Sequence, residues 1–232
     1  MIEIKNITKT YVNGEIVTPV LRGIDLSVRS GEFIAIMGKS GAGKSTLLYQ
    51  MSLLDIPTTG VITIGDTNIL ELSESERTQF RLQKLGYIFQ DYALVPELTA
   101  EENVGIPLLM QGVDRADALC QARQIIDNID MVGKYTNRPN QLSGGQQQRI
   151  SVARAIVQEP EILFADEPTA NLDSTSSEQV IELLRDLHKK GQTIVMVTHE
   201  PEYTKYCDRV IYLEDGLITD YDYQIEVSDK KQ

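Results

Sequence analysis

The chain has 232 residues, enough for one large domain or two small ones with a buried core. Hydrophobic residues make up 41% and charged residues 24%, a composition that excludes wholesale disorder. Acidic residues outnumber basic ones by 34 to 22, and the resulting net charge of −12 argues against a protein that binds nucleic acid.

The apolar runs of the chain are short. Phe33–Met37 and Ile194–Val197 have the length of strands and fall far below the ~18 residues that a bilayer span requires. Met1–Lys5 lacks the basic stretch and apolar core of a signal peptide. Cys120 and Cys207 form no paired motif and are predicted to be reduced, structural thiols. We therefore expect a soluble, cytosolic chain that reaches a membrane only through a partner.

The first part of the chain reads as strands. Residues 1–28 alternate between apolar and polar side chains on either side of a turn at Asn13-Gly14, which predicts half-buried strands. The continuous apolar run Phe33–Met37 predicts a strand that is covered on both faces. A glycine-rich turn, a helix from about Lys44 to Leu54 and a strand at Val61–Ile64 are predicted to follow.

The middle of the chain, from about Ser73 to Gln141, is predicted to be mostly helical. Four predicted elements follow it in chain order: a helix beginning near Gln147, a buried strand at Ile162–Ala165, a helix with the apolar stripe Val180 to Leu187 and a buried strand at Thr193–Val197. The hairpin 210–219 and a polar tail from Ile225 complete the chain. This alternation predicts an α/β fold with a largely parallel sheet and an added antiparallel part.

The most specific motif is a glycine-rich loop that matches the phosphate-binding pattern G-x-x-x-x-G-K-[ST]. Backbone amides and the first turn of the following helix provide the donors that a phosphate chain needs. In this pattern Lys44 provides a charge for the β- and γ-phosphates, and Ser45 provides a hydroxyl for Mg²⁺. The loop and its helix start comprise Gly38, Lys39, Ser40, Gly41, Ala42, Gly43, Lys44 and Ser45.

Two carboxylates, Asp166 and Glu167, end the buried strand Ile162–Ala165. Ligands of open α/β sheets bind at the carboxyl ends of the strands, so both side chains are placed where a nucleotide would lie. Asp166 is predicted to hold Mg²⁺ through water, and Glu167 to polarise the attacking water.

A second anion-binding helix start is predicted at Leu142–Gln146, where Ser143 and two glycines precede a helix. One nucleotide needs only one phosphate cradle. The second cradle therefore predicts that this segment serves the nucleotide of another chain.

Taken together, these motifs resemble those of the nucleotide-binding subunit of an ATP-binding-cassette (ABC) transporter, over about residues 1–220. The resemblance adds a glutamine loop at Phe89-Gln90-Asp91, the intact signature Leu-Ser-Gly-Gly-Gln at 142–146, a D-loop at 170–173 and a switch histidine at Thr198-His199. It implies a P-loop ATPase fold of ABC type with an antiparallel β subdomain and an inserted helical subdomain. The implied ATPase core and β subdomain cover about 1–90 and 142–222, the helical subdomain about 91–141, and the polar tail 223–232.

The resemblance also implies roles for individual residues. Tyr11 would lie against adenine, Gln90 would reach Mg²⁺ and the attacking water, and His199 would contact the γ-phosphate. Two chains would pack head to tail. Thr46 would bind the nucleotide beside the P-loop of its own chain. Ser143 and Gly145 of the other chain, with Gln146 among the nucleotide-binding residues, would complete that site, and Asp173 would link the two sites across the interface.

Within the family, the sequence is most similar to cassettes of the lipoprotein-releasing and macrolide-efflux type. The segment Asn140–Arg149 and the segment Leu53–Gly60 carry this similarity. It implies ATP and Mg²⁺ as ligands, an integral membrane permease as partner and a location on the inner face of the membrane. Lys39 stands where relatives more often carry proline, and its side chain is expected to face solvent rather than the phosphates.

Other readings of these motifs remain open. A DNA-repair or chromosome-structure ATPase would insert a long coiled coil between the P-loop and the signature, but the interval between Thr46 and Leu142 shows no sustained heptads. A ribosome-binding relative would carry two cassettes on one chain. A regulatory or inactive binding module would not need Glu167 and His199. A non-transport ABC ATPase that regulates a membrane or cell-division complex is the remaining alternative.

Overall fold

A computed structural model describes residues 1–223, which form ten strands and six α-helices. Residues 224–232, and with them most of the predicted polar tail, lie outside the described residues. The strands are β1 Ile2–Asn13, β2 Ile16–Val28, β3 Phe33–Met37, β4 Thr59–Ile64, β5 Thr67–Asn68, β6 Leu85–Ile88, β7 Ile162–Asp166, β8 Thr193–Val197, β9 Arg209–Glu214 and β10 Leu217–Tyr223. The helices are α1 Lys44–Met51, α2 Glu74–Lys84, α3 Ala100–Met110, α4 Arg115–Asn128, α5 Gly144–Ile156 and α6 Ser174–Lys189.

The described residues divide into two compact units. The first contains residues 1–70 and the chain from Val195 onward, and the second contains Glu71–Ile194, so the division falls within β8. The predicted helical subdomain, about 91–141, lies inside the second unit and contains α3, α4 and a short 3-10 helix, Pro139–Gln141. Its boundaries stay a prediction.

The first unit begins with an antiparallel sheet in the strand order β2-β1-β4-β5. The alternating pattern of β1 places Ile2 and Ile4 in the core and leaves Glu3 and Lys5 in solvent, as predicted. β1 and β2 pair as a hairpin in which Ile2 lies opposite Val28 and Asn13 opposite Ile16.

The buried strand β3 is the centre of the other sheet region of the first unit. All five of its residues are buried, and it pairs in parallel with β9, which pairs antiparallel with β10. The phosphate-binding loop follows β3 directly, and α1 follows the loop. The predicted strand–turn–helix order is therefore confirmed, although α1 ends at Met51 rather than near Leu54.

The second unit is built around a helical core. The apolar faces of α3, α4 and α5 meet in a cluster that contains Val104, Ala122, Ile126 and Ile150. β6 and β7 pair in parallel in the same unit. The longest helix of residues 1–223, α6, has 16 residues, and among the described helices none meets the length and hydropathy of a bilayer span.

The two cysteines lie in contrasting surroundings. Cys120 is exposed on α4, whereas Cys207 is buried. Burial raises the pKa of the Cys207 thiol, so this thiol stays protonated and unreactive.

Candidate nucleotide site

The phosphate-binding loop of the first unit is shaped by a close approach of two backbone segments. Gly38 follows β3 with a φ of 154°, and a Cβ atom at this position would lie 2.1 Å from the carbonyl oxygen of Leu213. Only glycine allows β3 to turn into the loop at this distance from β9. Ser40 and Gly41 are exposed at the tip of the loop, and Ala42 and Gly43 are buried where it enters α1.

The two lysines of the loop point in different directions. Lys44 is only 7% exposed, and its Nζ donates to the carbonyl oxygens of Gly38 at 2.9 Å and Lys39 at 3.2 Å. The ammonium group therefore lies over its own loop, where a phosphate chain would bind. The side chain of Lys39 is 88% exposed, with its Nζ 3.4 Å from Glu214 Oε1. The expected solvent orientation of Lys39 is thus confirmed.

Three further predicted residues belong to the same unit. Ser45 and Thr46 lie half-buried in the first turn of α1. His199 is exposed just beyond β8, where the Thr198 amide donates to the Ile36 carbonyl at 3.2 Å. This bond places the end of β8 beside the end of β3, so His199 and the loop lie at the same edge of the first unit.

The acidic pair lies at the end of β7 in the second unit, as predicted. Asp166 is 5% exposed, and the Tyr87 hydroxyl donates to its Oδ2 at 3.4 Å. Glu167 is half-buried in a left-handed conformation with a φ of 43°. This turn follows directly on the end of β7 at Asp166.

The glutamine loop of the second unit is held in an unusual backbone conformation. Gln90 is exposed, and its carbonyl accepts a hydrogen bond from Asn171 Nδ2 at 3.2 Å. The loop continues through Tyr92 and Ala93, which are both left-handed, with φ values of 59° and 50°. Arg154 of α5 donates to both of their carbonyls, at 2.9 and 2.6 Å.

A buried glutamine of α5, Gln148, connects the glutamine loop to the segment after the acidic pair. Its Nε2 donates to the Pro168 carbonyl at 2.9 Å and to the Phe89 carbonyl at 3.4 Å. These carbonyls belong to the residue before Gln90 and to the residue after Glu167. Gln148 and Arg154 were not predicted as functional residues from the sequence, although Gln148 gives a detectable signal as a polar residue on the buried face of a helix.

The signature segment forms a capped helix start. Ser143 is exposed and is the N-cap of α5, with its Oγ accepting from the Gln146 amide at 3.3 Å and its own amide donating to Gln146 Oε1 at 3.0 Å. α5 therefore begins at Gly144, three residues before the predicted start at Gln147. This capping box provides partners for the amides of Ser143 and Gln146 and so stabilises a helix start that contains two glycines.

Gly145 brings the signature against the start of α6. A Cβ atom on Gly145 would lie 2.4 Å from Ser176 Oγ. Asp173 is the N-cap of α6 and accepts from the Ser176 amide at 3.0 Å and from its hydroxyl at 2.8 Å. These hydrogen bonds lower the pKa of Asp173. Ser143, Gly145, Gln146 and Asp173 thus form one group of helix starts in the second unit.

The apolar stretch after Gln90 is only partly covered. Leu94 is half-buried against the helical core of the second unit. Val95 next to it is 38% exposed. A more extensive groove lies nearby in the same unit, with a volume of about 260 Å³, and its lining includes Leu82, Pro107, Met110 and Arg154.

Comparison with known sequences identifies the relatives of this chain. The profile of the ABC transporter family matches residues 21–170. LolD, the ATP-binding protein of the lipoprotein-releasing system of Geobacter metallireducens, is 44% identical over 94% of this chain and 97% of its own length. MacB, a macrolide export ATP-binding/permease protein of Aggregatibacter actinomycetemcomitans, is 45% identical over 94% of this chain, which spans 34% of MacB.

A solved structure gives the same result for the fold. The bacterial ABC transporter cassette MJ0796, in a dimeric structure, aligns with a TM-score of 0.91 at 39% identity over 97% of this chain and 99% of MJ0796. The same cassette was also solved as a dimer in a post-hydrolysis state bound to ADP and Pi, with a TM-score of 0.90. The predicted α/β cassette fold is therefore confirmed, as is the similarity to cassettes for lipoprotein release and macrolide export.

Proposed function

Because the chain belongs to the ABC transporter family, we propose that it binds and hydrolyses ATP through the residues described above and drives a separate membrane permease. The chain is an ATP-hydrolysing subunit of ABC type.

The observation that carries the proposal is the position of Lys44. The buried ammonium group of Lys44 donates to two backbone carbonyls, at 2.9 and 3.2 Å. Phosphate oxygens carry negative charge and are stronger acceptors than these carbonyls, so the ammonium group can exchange the carbonyls for phosphate. The loop amides and the start of α1 supply the remaining donors. In the bound state, Tyr11 lies against the base. The phosphates are surrounded by the loop and the first turn of α1, which comprise Gly38, Lys39, Ser40, Gly41, Ala42, Gly43, Lys44, Ser45 and Thr46.

Mg²⁺ is the metal that fits the proposed donor set. The Ser45 hydroxyl, the Gln90 amide and the Asp166 carboxylate all offer oxygen, which is the ligand atom that Mg²⁺ prefers. When bound, the ion would neutralise charge on the β- and γ-phosphates. Asp166 fits this role because its carboxylate is 5% exposed at the carboxyl end of β7.

In hydrolysis, water attacks the γ-phosphorus and the bond to the ADP oxygen breaks. We assign Glu167 as the general base that accepts the proton of the attacking water, with Gln90 orienting that water. His199 contacts the γ-phosphate and stabilises charge as it develops. The left-handed φ of Glu167 supports this role, because non-glycine residues adopt this conformation mainly where the surroundings require it.

The signature group serves the nucleotide of a second copy. Ser143 is exposed at the N-terminus of α5, where the helix dipole and the amides favour an anion. In a head-to-tail dimer, Ser143, Gly145 and Gln146 complete the P-loop site of the other chain, and Asp173 links the two sites. The dimeric state of MJ0796 supports this arrangement.

The permease contact is assigned to the groove of the second unit. Leu82, Pro107 and Met110 offer apolar surface to a cytoplasmic helix of the permease, and Met110 is 63% exposed. Arg154 reaches both this groove and the carbonyls of the glutamine loop. Binding in the groove can therefore influence Gln90. Through this contact the permease would hold the chain at the cytoplasmic face of the membrane.

The function is tested by measuring Mg²⁺-dependent phosphate release, for the chain alone and for its complex with the permease. The Lys44→Ala variant is expected to lose hydrolysis, because the phosphates lose their buried cation. Lys39→Ala is the matched control, since Lys39 contributes only its backbone to the phosphate cradle and the substitution removes a side chain that faces solvent. Normal hydrolysis by Lys44→Ala would show that the P-loop assignment is wrong.

The dimer is tested with Glu167→Gln, which keeps the shape of the side chain but cannot accept a proton. Size-exclusion chromatography of this variant should show a dimer with ATP and a monomer with ADP. Adding Ser143→Arg should abolish the dimer. A Glu167→Gln variant that stays monomeric at saturating ATP would exclude a homodimer with shared sites.

A further inference from the structure

Tyr11 of β1 is held in place through its hydroxyl group. The hydroxyl donates to Asp55 Oδ2 at 2.8 Å. This hydrogen bond ties the edge of the ring to a residue that lies just beyond the end of α1.

One face of the Tyr11 ring is covered by Lys9. The Lys9 Nζ lies 4.7 Å from the ring centroid, and its side chain is only 12% exposed. The same Nζ donates to Asp55 Oδ1 at 2.8 Å and to the Ile56 carbonyl at 2.7 Å. Tyr11 nevertheless stays 42% exposed, so the part of its surface that Lys9 leaves uncovered is open to a ligand.

Asp55 is itself fixed in place after the end of α1. Its amide donates to the Tyr49 carbonyl at 3.2 Å, and its Oδ2 accepts from the buried Gln50 side chain at 3.0 Å. Partial burial opposes its ionisation, but the hydrogen bonds from Lys9 and Tyr11 outweigh this effect and keep the pKa of Asp55 below its usual range. The carboxylate is charged at neutral pH and joins Lys9, Tyr11 and Gln50 in one cluster.

We propose that Asp55 is a positioning residue for the nucleobase: together with Lys9 it fixes the Tyr11 ring so that only one face is available for stacking. This inference rests on the proposed function, because it concerns the base of a nucleotide whose phosphates occupy the P-loop. A ring that is fixed before binding loses less conformational freedom when a base stacks on it. Because stacking uses the π-face that every base has, Asp55 increases affinity without selecting among bases.

The experiment compares two probes by isothermal titration calorimetry in the presence of Mg²⁺. ATP carries a base, whereas tripolyphosphate carries only the phosphate chain. Asp55→Ala and Tyr11→Phe each break the hydrogen bond between these residues, and Tyr11→Phe keeps the aromatic ring. Asp66→Ala, in an exposed turn of the same unit, is the matched control for loss of an aspartate.

Both variants are expected to weaken ATP binding by about 2-fold to 10-fold and to leave tripolyphosphate binding unchanged. The double variant should lose no more than Asp55→Ala alone, because Asp55→Ala already removes the hydrogen bond that Tyr11→Phe removes. Tyr11→Ala, which removes the ring, should lose about 5-fold to 100-fold for ATP alone. The control Asp66→Ala should bind both probes like the wild type.

Unchanged ATP affinity in Asp55→Ala would overturn the positioning role, as would equal losses for the two probes, which would indicate general damage to the unit. Should Asp55→Ala fail to fold, Tyr11→Phe decides by the same two criteria. A wild-type protein that bound neither probe would instead overturn the proposed nucleotide site, and the positioning role with it.

Discussion

The P-loop of the first unit and the glutamine loop of the second both contain left-handed backbone conformations, but different features stabilise them. The P-loop uses glycine where the chain is left-handed, as at Gly41 with a φ of 81°. The glutamine loop uses two ordinary residues, Tyr92 and Ala93, and holds them through the guanidinium of Arg154. The P-loop conformation is therefore inherent in its own sequence, whereas that of the glutamine loop depends on contacts from a distant helix.

This difference fits the two tasks proposed for the loops. A phosphate cradle acts best when its donors are already in place before the ligand arrives. A segment that responds to a membrane partner must have a second conformation within reach. Left-handed non-glycine residues cost roughly 1–2 kcal/mol each, so the glutamine loop stores free energy that loss of its contacts would release.

Gly38→Ala should have the largest effect and tests whether glycine is needed for the conformation of the P-loop. Its Cβ would lie 2.1 Å from the Leu213 carbonyl oxygen, and backbone atoms cannot move aside cheaply. ATP affinity is expected to fall by about 100-fold or more, because a misplacement of about 1 Å in a positioned site has effects of this order. Fluorescent nucleotide titration measures the change, and near-normal affinity would show that the close approach is not needed.

The second prediction concerns Gln148, which joins the glutamine loop to the segment after the acidic pair. Gln148→Met keeps the volume but removes both donors, so Gln90 and Glu167 lose their common anchor. We expect kcat for ATP hydrolysis to fall about tenfold while KM stays unchanged, since the phosphate cradle is untouched. Steady-state phosphate release at varied ATP concentration separates the two constants.

The matched control for Gln148 is Gln192→Met. Gln192 also donates to two backbone carbonyls of the second unit, those of Pro160 and Thr193, but neither carbonyl adjoins Gln90 or Glu167. Its replacement should leave kcat unchanged. Equal losses of kcat in both variants would show that carbonyl bridges in this unit stabilise the fold without positioning the catalytic groups.

Arg154→Met tests whether the glutamine loop depends on that arginine. The carbonyls of Tyr92 and Ala93 lose charge-assisted donors, which lowers the local stability of the loop by about 2 kcal/mol. Amide hydrogen exchange over residues 89–95 should therefore speed up by about 10-fold to 30-fold. Exchange over α1, in the other unit, should not change. A uniform increase along the chain would indicate global destabilisation and would contradict the comparison.

The smallest expected effects are changes in the free energy of unfolding when glycine and alanine are exchanged in the two loops. Gly41→Ala places a side chain in open space at a φ of 81° and should lower the free energy of unfolding by about 1 kcal/mol. Ala93→Gly relieves a left-handed alanine and should raise it by about 0.5 kcal/mol. Urea denaturation followed by circular dichroism measures both. Changes of the same sign in the two variants would contradict a difference in how the loops are held.

The sequence predicted those parts of the molecule whose structure is determined locally. The strand–turn–helix order of the P-loop and the buried strands β3, β7 and β8 follow from apolar runs and glycine spacing. The short strand β6, Leu85–Ile88, was missed. Its glycine, Gly86, is explained by packing against α5, where an added Cβ would lie 2.4 Å from the Ala155 carbonyl. Because these two residues lie far apart in the chain, nothing in the sequence around Gly86 predicts the contact.

The candidate site shows the same limit. Every catalytic residue proposed here was predicted from a motif, but the side chains that hold those residues in place were not. Tyr92 and Ala93 are residue types that avoid left-handed conformations, so no propensity argument predicts their geometry. Asp55 appeared in the sequence only as part of a family pattern, and its contacts with Lys9 and Tyr11 required the structure.

The contrast between the two thiols has a practical consequence for spectroscopy. Cys207 is buried and stays protonated, so a maleimide dye should react with Cys120 on α4 and give one label per chain without any engineering. The sequence contains no tryptophan, so a single introduced indole would be excited without background from native indoles. The natural chain is therefore already suited to measuring distances between two copies, or between the second unit and a permease, by energy transfer.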